Sequence, residues 1–144
     1  MPKSNKRLLI LIAGPYRSGT DDDPQRMTDN LRRLESYALA IYRAGHMPMI
    51  GEWVALPLMR LAGSQRVGDA AYEEIAHPVA NRLLEWCDAV LRVGGPSKGA
   101  EQDVRLAKER GLAVYHDVED VPHYAAPGGD WHPATRDQPI RSGR

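Results

Sequence analysis

Leu8-Leu9-Ile10-Leu11-Ile12-Ala13-Gly14-Pro15 is an apolar run that ends in a glycine–proline turn. Residues 7–13 have the nearly continuous hydrophobic character of a central parallel strand that is covered on both faces. The run is shorter than the roughly 20 residues of a membrane span, and it lacks the cleavage pattern of a signal peptide. We therefore expect a buried strand at this position.

Strand and helix patterns alternate outward from this run. Asp22 or Asp23 is expected to cap a helix that begins at Pro24 and runs over residues 24–44, and Gly45 is expected to end it. Further along the chain the patterns predict helices at 69–86 and 100–110, a short helix or lid at 52–61, and strands at 46–50, 89–93 and 112–116.

Two prolines fall inside the predicted helical segments. Pro57 interrupts segment 52–61, and Pro78 is expected to break or kink the helix at 69–86, because proline lacks the amide hydrogen. The order of elements is that of strand–helix crossover units. We predict one α/β domain of flavodoxin- or Rossmann-like architecture, with a parallel sheet of four to five strands and helices on both faces.

The composition changes after Pro122 to proline, glycine, aspartate, histidine and arginine. We expect a domain over residues 1–124 and a flexible C-terminal tail over residues 125–144, because the tail has little apolar material to bury. Trp131 is the exception in this segment. It is either an ordinary tail residue or an anchor on this subunit or on a neighbouring one.

Composition argues against several classes of function. Lys plus Arg and Asp plus Glu both number 19, so the formal net charge is zero, and neither a nucleic-acid polymer nor an anionic membrane is indicated as a partner. The single cysteine, Cys87, suits a cytoplasmic protein, and its apolar neighbours favour a buried side chain over a nucleophile. The scattered histidines have no metal-ligand spacing, so no metal and no cofactor is expected.

The loop after the predicted first strand contains candidate ligand-binding residues. Gly14 allows a ligand to approach the backbone, and the Arg17 guanidinium matches a phosphate or carboxylate. Ser18 and Thr20 add hydroxyl groups. Ligands of parallel sheets bind beyond the carboxyl ends of the strands, so a ligand site is expected here. The alternative is a simple strand-to-helix turn with a solvated arginine.

The loop after the third predicted strand, Gly94-Gly95-Pro96-Ser97-Lys98-Gly99, precedes a helix that contains Glu101 and Asp103. Backbone amides at the start of a helix can bind an anion, but acidic residues in the first turn also suit the helix dipole without any ligand. The spacing matches neither a Walker loop nor a dinucleotide-binding fingerprint. This loop alone is weak evidence for a site.

Several short motifs occur in a defined order between residues 7 and 116. They are Ile12-Ala13-Gly14-Pro15-Tyr16-Arg17, Asn30, Gly45-His46-Met47-Pro48, Cys87-Asp88-Ala89-Val90, and Ser97-Lys98-Gly99 with the helix to Ala107. Together they resemble the nucleoside 2-deoxyribosyltransferase-like superfamily, which includes 2'-deoxynucleoside 5'-phosphate N-hydrolases. The resemblance implies a Rossmann-like sheet, a homodimer or larger homo-oligomer, and a nucleoside or nucleotide as ligand.

The resemblance also implies residue roles. Asp103 matches the family's nucleophilic glutamate, four residues after Gly99 and four before Ala107. Tyr16 would orient the nucleophile or the sugar, and Arg17 would hold a phosphate. The substrate-binding positions implied in this way are Gly14, Pro15, Arg17, Ser18, Asn30, Asp88, Ser97 and Gly99. For Asp88 an alternative is that it orients the backbone.

Two departures from the family pattern bear on catalysis. Asp103 is one methylene shorter than the family glutamate, and a displacement of this order can lower a rate about a hundredfold. Glu101 is the alternative catalytic carboxylate, because it has the longer side chain of the family residue. It lies two positions away from Asp103, on a different helix face. Ala80 stands where the family has an assisting aspartate.

The sequence therefore favours an enzyme that cleaves or transfers at the N-glycosidic bond of a nucleoside or nucleoside 5'-monophosphate through a carboxylate nucleophile. The alternative is a noncatalytic nucleotide-binding protein that retained the pocket and lost the carboxylate pair. Trp53, after the second predicted strand, is interpreted as a core residue or as a platform for the base.

Overall fold

The computed structural model describes residues 3–125, in which helices cover both faces of a parallel sheet. The strands are β1 (Lys3–Ser4), β2 (Leu9–Ala13), β3 (Met47–Met49), β4 (Ala89–Arg92), β5 (Ala113–Tyr115) and β6 (His123–Tyr124). The helices are α1 (Pro24–Glu35), α2 (Ala38–Arg43), α3 (Gly51–Leu61), α4 (Ala70–Leu84) and α5 (Lys98–Glu109), followed by a 3₁₀ turn at Val118–Asp120.

The central sheet has four strands in the order β3-β2-β4-β5, and every neighbouring pair is parallel. The predicted α/β architecture is therefore confirmed. β1 and β6 form a separate two-stranded parallel pair that the sequence analysis did not predict. Strands of two residues are too short to show alternation of side chains, so their pairing leaves no pattern in the sequence.

The alternation of side chains along β2 divides the core into two layers. Ile10 and Ile12 point to the face where Leu34 of α1 and Ile41 of α2 pack. The other face of the strand packs against α4 and α5. A third apolar cluster joins α3 to α4. Both faces of the sheet are covered, which explains why β2 is apolar along its whole length.

The predicted helix at residues 24–44 is two helices, and this part of the prediction is wrong. Ser36 and Tyr37 form a turn between α1 and α2, and the Ser36 hydroxyl donates to the carbonyl oxygen of Arg33 at 2.5 Å. A serine side chain that bonds to the backbone competes with the helical pattern. Asp23, rather than Asp22, caps the first helix by accepting from the amide of Arg26, and Gly45 follows α2 with a φ of 96°.

Neither proline ends its helix. Pro57 lies inside α3 and Pro78 inside α4, and both helices are assigned through these positions. Of the two outcomes expected at Pro78, a break or a kink, the break is therefore wrong. Tyr72 and Val79 of α4 are buried against α3, so tertiary packing holds the helix on both sides of the proline despite the lost hydrogen bond.

Three further sequence predictions concern Cys87, membrane-spanning segments and the C-terminal tail. Cys87 is buried, and burial raises the pKa of its thiol to about 11, as expected of a structural side chain. No helix within residues 3–125 is long and apolar enough to cross a membrane. Residues 126–144, with Trp131, lie outside the described part of the chain, so the predicted tail stays a prediction.

Candidate functional site

A cavity of about 310 Å³ lies at the carboxyl ends of the central strands, between the two glycine-containing loops and the start of α3. Cavities of this size are typical of small-molecule sites. It brings together these predicted site residues: Gly14, Tyr16, Arg17, Ser18, Ser97, Gly99 and Asp103. We call it the carboxylate cavity, because Glu52 and Asp103 both line it.

Asp103 is a carboxyl group of the cavity with a strongly perturbed acidity. Its pKa is raised to about 7, first by loss of hydration and second by the negative charge of Glu52, while Arg92 acts in the opposite direction. Near neutral pH the carboxyl group is therefore divided between its ionised and protonated forms. A pKa close to the working pH is what a catalytic carboxyl group requires.

Glu52 is the main functional candidate that the sequence analysis missed. It is the second residue of α3, the helix that follows β3, and burial raises its pKa. One signal was available in the sequence, because an acidic residue immediately after a parallel strand lies at the edge of the sheet where ligands bind. The apolar residues of segment 52–61 predict a short helix or lid, and this pattern assigns no role to Glu52.

One face of α4 forms a wall of the carboxylate cavity. Tyr72, Glu73, Ala76, His77 and Ala80 line it, and this spacing is that of residues on one side of a helix. Ala80 is the position where the family resemblance leads to an aspartate. A side chain at this position faces the cavity, but alanine supplies no polar group there.

Tyr16 lines the cavity from the first loop. Its pKa is raised by burial and by the charge of Glu52, so the phenol keeps its proton and can donate a hydrogen bond. The loop is fixed from α1, because the amide nitrogen of Asn30 donates to the carbonyl oxygen of Tyr16 at 2.9 Å. Asn30 therefore positions the loop, and its own side chain does not line the carboxylate cavity.

The Arg17 side chain reaches the edge of the cavity with carboxylate partners in place. Its Nε donates to Asp22 at 2.8 Å, and a terminal nitrogen lies 3.5 Å from Glu73. Its guanidinium carbon also lies 5.4 Å from the centre of the Tyr72 ring. Arg17 thus joins the first loop to α4, and a phosphate that binds it must compete with Asp22.

Gly14 is required by internal packing, whatever its role with a ligand. A Cβ atom at this position would lie 2.6 Å from both the Leu34 side chain and the Val93 carbonyl oxygen. Gly94 similarly has a φ of 79°, and a Cβ there would lie 2.7 Å from Pro15. The two loops therefore pack against each other through residues that have no room for a larger side chain.

The second loop is held by two side chains. Ser97 caps α5 by accepting from the amide of Ala100 at 3.2 Å. The buried guanidinium of Arg92 donates to the carbonyl oxygens of Val93 and Gly95, and it pairs with Glu101 at 3.0 Å. Glu101 faces this arginine and does not line the carboxylate cavity, so the structure does not place it with Asp103.

Asp88 lies away from the cavity, at the start of β4. Its carboxylate accepts from the amide of Leu9 at 2.8 Å and pairs with Lys6 at 2.7 Å. These contacts connect the amino ends of β2 and β4, opposite to the edge where the loops meet. They match the alternative in which Asp88 orients the backbone.

A second and more open cavity, of about 860 Å³, lies beyond the first loop. We call it the outer cavity. Pro15 and Asn30, two of the predicted binding residues, line it, and it shares Ser18, Ser97 and Lys98 with the carboxylate cavity. Trp53 lines neither cavity, and its indole nitrogen donates to Glu35 at 2.8 Å.

No protein-family model matches the chain, and no curated protein matches it significantly. Within residues 3–125, no group of three or more His, Cys, Asp or Glu side chains is arranged to hold a metal ion.

Proposed function

We propose that the protein cleaves or transfers at the N-glycosidic bond of a nucleoside or nucleoside 5'-monophosphate, with Asp103 as nucleophile. The observation that carries this proposal is the pairing of Asp103 with Glu52 in one cavity at the carboxyl edge of the sheet. Burial raises the pKa of both carboxyl groups, and a site that holds one of them ionised and the other protonated provides both a nucleophile and a general acid. This is the combination that displacement at a glycosidic carbon requires.

In the proposed reaction an Asp103 oxygen attacks C1', and the C1'–N bond breaks with its electron pair moving to the base. Protonated Glu52 donates its proton to the departing base. Water, or a second base, then attacks C1' and releases Asp103 from the covalent sugar ester, and the ionised Glu52 takes up the proton of the incoming nucleophile. The two carboxyl groups alternate in role, as microscopic reversibility demands.

The sugar would lie between the two loops, with its 5' side toward the serine hydroxyl groups. Ser18 and Ser97 line the cavity at this end, and the phenol of Tyr16 is placed to donate to the sugar or to Asp103. Arg17 is paired with Asp22, so we assign the 5'-phosphate to the serines and to the backbone of the second loop before we assign it to Arg17.

Ala80 supports a second candidate function, a noncatalytic nucleotide-binding protein. The cavity wall lacks a carboxylate at this position, and Asp103 has a shorter side chain than the family glutamate. In this case the cavity binds the nucleotide and turnover is absent. The substitutions Asp103→Glu and Ala80→Asp separate the two candidates, because a protein that has lost only its carboxylates gains base release when they are restored.

The resemblance also supports a homodimer or larger homo-oligomer in the cytoplasm. Leu61 and Trp86 are 80% and 79% exposed, so two large apolar side chains are available for contact with a second subunit. Light scattering of the full chain tests this, and a monomer at micromolar concentration contradicts it.

The function is tested by chromatography for free base over a panel of nucleosides and 5'-monophosphates, with and without an acceptor base. We expect base release from the wild type, loss in Asp103→Asn, and retention in Glu109→Gln, a matched variant of an exposed carboxylate on the same helix. Acceptor dependence identifies a transferase and its absence a hydrolase. Turnover that survives in Asp103→Asn refutes the assignment of the nucleophile.

A further inference from the structure

The outer cavity is lined by cationic side chains from two elements that meet at its walls. Arg26 and Arg33 come from α1, and Lys98 is the first residue of α5. Asp29 is the single acidic residue among those that line the cavity, and one of its carboxylate oxygens accepts from Gln25 at 3.0 Å. The walls therefore carry an excess of positive charge.

These cations have weak partners or none within the described part of the chain. Arg26 is 3.9 Å from Asp21, whose side chain is 98% exposed, so this ion pair is loose and hydrated. Arg33 donates to the neutral side chain of Asn30 at 2.8 Å. For Lys98 no ion pair or side-chain hydrogen bond is found among residues 3–125. In contrast with Arg17, the three cations remain able to bind an anion.

The outer cavity and the carboxylate cavity have a common wall. Ser18, Ser97 and Lys98 line both, so one ligand can extend from the first cavity into the second between the two loops. The two compartments differ in charge, since Glu52 and Asp103 line only the carboxylate cavity, Arg26 and Arg33 line only the outer cavity, and Lys98 lies on the common wall. A ligand that fits both has its glycosidic carbon near the carboxyl groups and an anionic extension at its far end.

We propose that the substrate is a nucleotide with a 5'-diphosphate, either free or linked through its second phosphate to a further group. This inference rests on the proposed function, which places the 5' end at the serines. The first phosphate lies at the common wall, and the second lies among Arg26, Arg33 and Lys98. A monophosphate ends at the wall beside Lys98 and does not reach Arg26 and Arg33.

The surroundings of the outer cavity favour a compact anion over a polynucleotide. The acidic segment Asp21-Asp22-Asp23 lies next to the first loop, and the chain has no net positive charge. A continuing strand of phosphates would meet this acidic segment, whereas a diphosphate ends inside the cavity. Polynucleotide binding also requires cations along an extended track, and the three cations here surround one depression.

Inorganic pyrophosphate and inorganic phosphate test the outer cavity without reference to the base. We expect calorimetry on the full chain to show pyrophosphate binding at least tenfold tighter than phosphate, because pyrophosphate reaches more than one cation. Arg26→Gln and Arg33→Gln should each weaken pyrophosphate binding about tenfold. Arg32→Gln, a matched change of an exposed arginine on the same helix outside the cavity, should leave it unchanged.

A second set of measurements joins the outer cavity to the substrate. A nucleoside 5'-diphosphate from the series that releases base, or adenosine and thymidine 5'-diphosphates if none does, should displace pyrophosphate and bind at least tenfold tighter than the matching 5'-monophosphate. This advantage should disappear in Arg33→Gln and shrink as salt is added. Thermal unfolding of each variant at the wild-type temperature confirms that it folds.

The outcomes separate failure of this inference from failure of the proposed function. Base release from nucleosides with equal affinity for phosphate and pyrophosphate overturns the inference alone. Tight pyrophosphate binding without base release keeps the anion site and refutes the glycosidic chemistry. Pyrophosphate that no nucleoside diphosphate displaces, or a single-stranded oligonucleotide that binds tighter than any diphosphate, overturns the assignment of the substrate.

Discussion

Replacement of Asp103 by asparagine should stabilise the protein at alkaline pH while it abolishes turnover. In the folded protein Asp103 keeps its proton up to about pH 7, whereas an unfolded chain releases it near pH 4. The folded state therefore binds more protons between these values, and its stability falls as the pH rises from about 4 to about 7. Asparagine has no charge to lose, so the variant escapes this penalty.

The size of the effect follows from the displaced acidity. When the whole shift is counted, a pKa raised to about 7 means that folding destabilises the ionised carboxylate by about 4 kcal/mol. Asp103 is only partly buried, and solvent screening reduces this figure to about 2 kcal/mol. For a chain of this size, 2 kcal/mol raises the melting temperature by roughly 4–8 °C.

The assay is thermal unfolding of wild type and Asp103→Asn at pH 4.5 and pH 8.5, with base release measured on the same samples. We expect the difference in melting temperature to be near zero at the lower pH and several degrees in favour of the variant at the higher one. Glu109→Gln, on the same helix, should show no such pH dependence. Equal destabilisation of Asp103→Asn at both pH values would refute the placement of a carboxyl group with a raised pKa in the cavity.

Three further predictions concern the same region. Base release should have a rising limb at about pH 7, because the nucleophile must be ionised, and a pH profile with no rising limb contradicts the assigned role of Asp103. Ala80→Asp should raise base release at least tenfold, because the new carboxylate faces the cavity; an unchanged rate shows that this wall takes no part in the chemistry. Gly14→Ala should lower the free energy of unfolding by about 3 kcal/mol in urea titrations, because the new Cβ meets the Val93 carbonyl oxygen. Gly95→Ala is the control, because a Cβ at this position has open space around it. Equal stability of the two variants refutes the packing argument.

The sequence predicts the central sheet well because the information is local. Residues 9–13 are apolar at every position, which is sufficient to identify a strand covered on both faces. Gly45 at the end of its helix similarly requires no knowledge of the tertiary structure. The helix boundary at Ser36 depends on one side-chain hydrogen bond, and the continuity of α4 through Pro78 depends on packing against α3; neither has a periodic signal.

The candidate site is predictable only in part for the same reason. The first and second loops follow strands, so topology brings Ser18, Ser97 and Asp103 together. The place of Glu52 after a strand puts it at the same edge of the sheet, but no pattern in residues 52–61 shows that α3 brings it into one cavity with Asp103. The sequence places Glu101 and Asp103 on different helix faces, but it does not show that Glu101 pairs with Arg92, because this arginine lies on another element, at the end of β4.

The central claim, attack by the Asp103 carboxylate on C1', is tested most directly by trapping the covalent sugar ester. A 2'-fluoro analogue of the best nucleoside slows both formation of the sugar ester and release of the sugar from the protein, because fluorine destabilises positive charge at C1'. Intact mass and peptide mapping should show one sugar adduct, on the peptide that contains Asp103, with release of one equivalent of base. An adduct on Glu52, or base release without any adduct, would contradict the account.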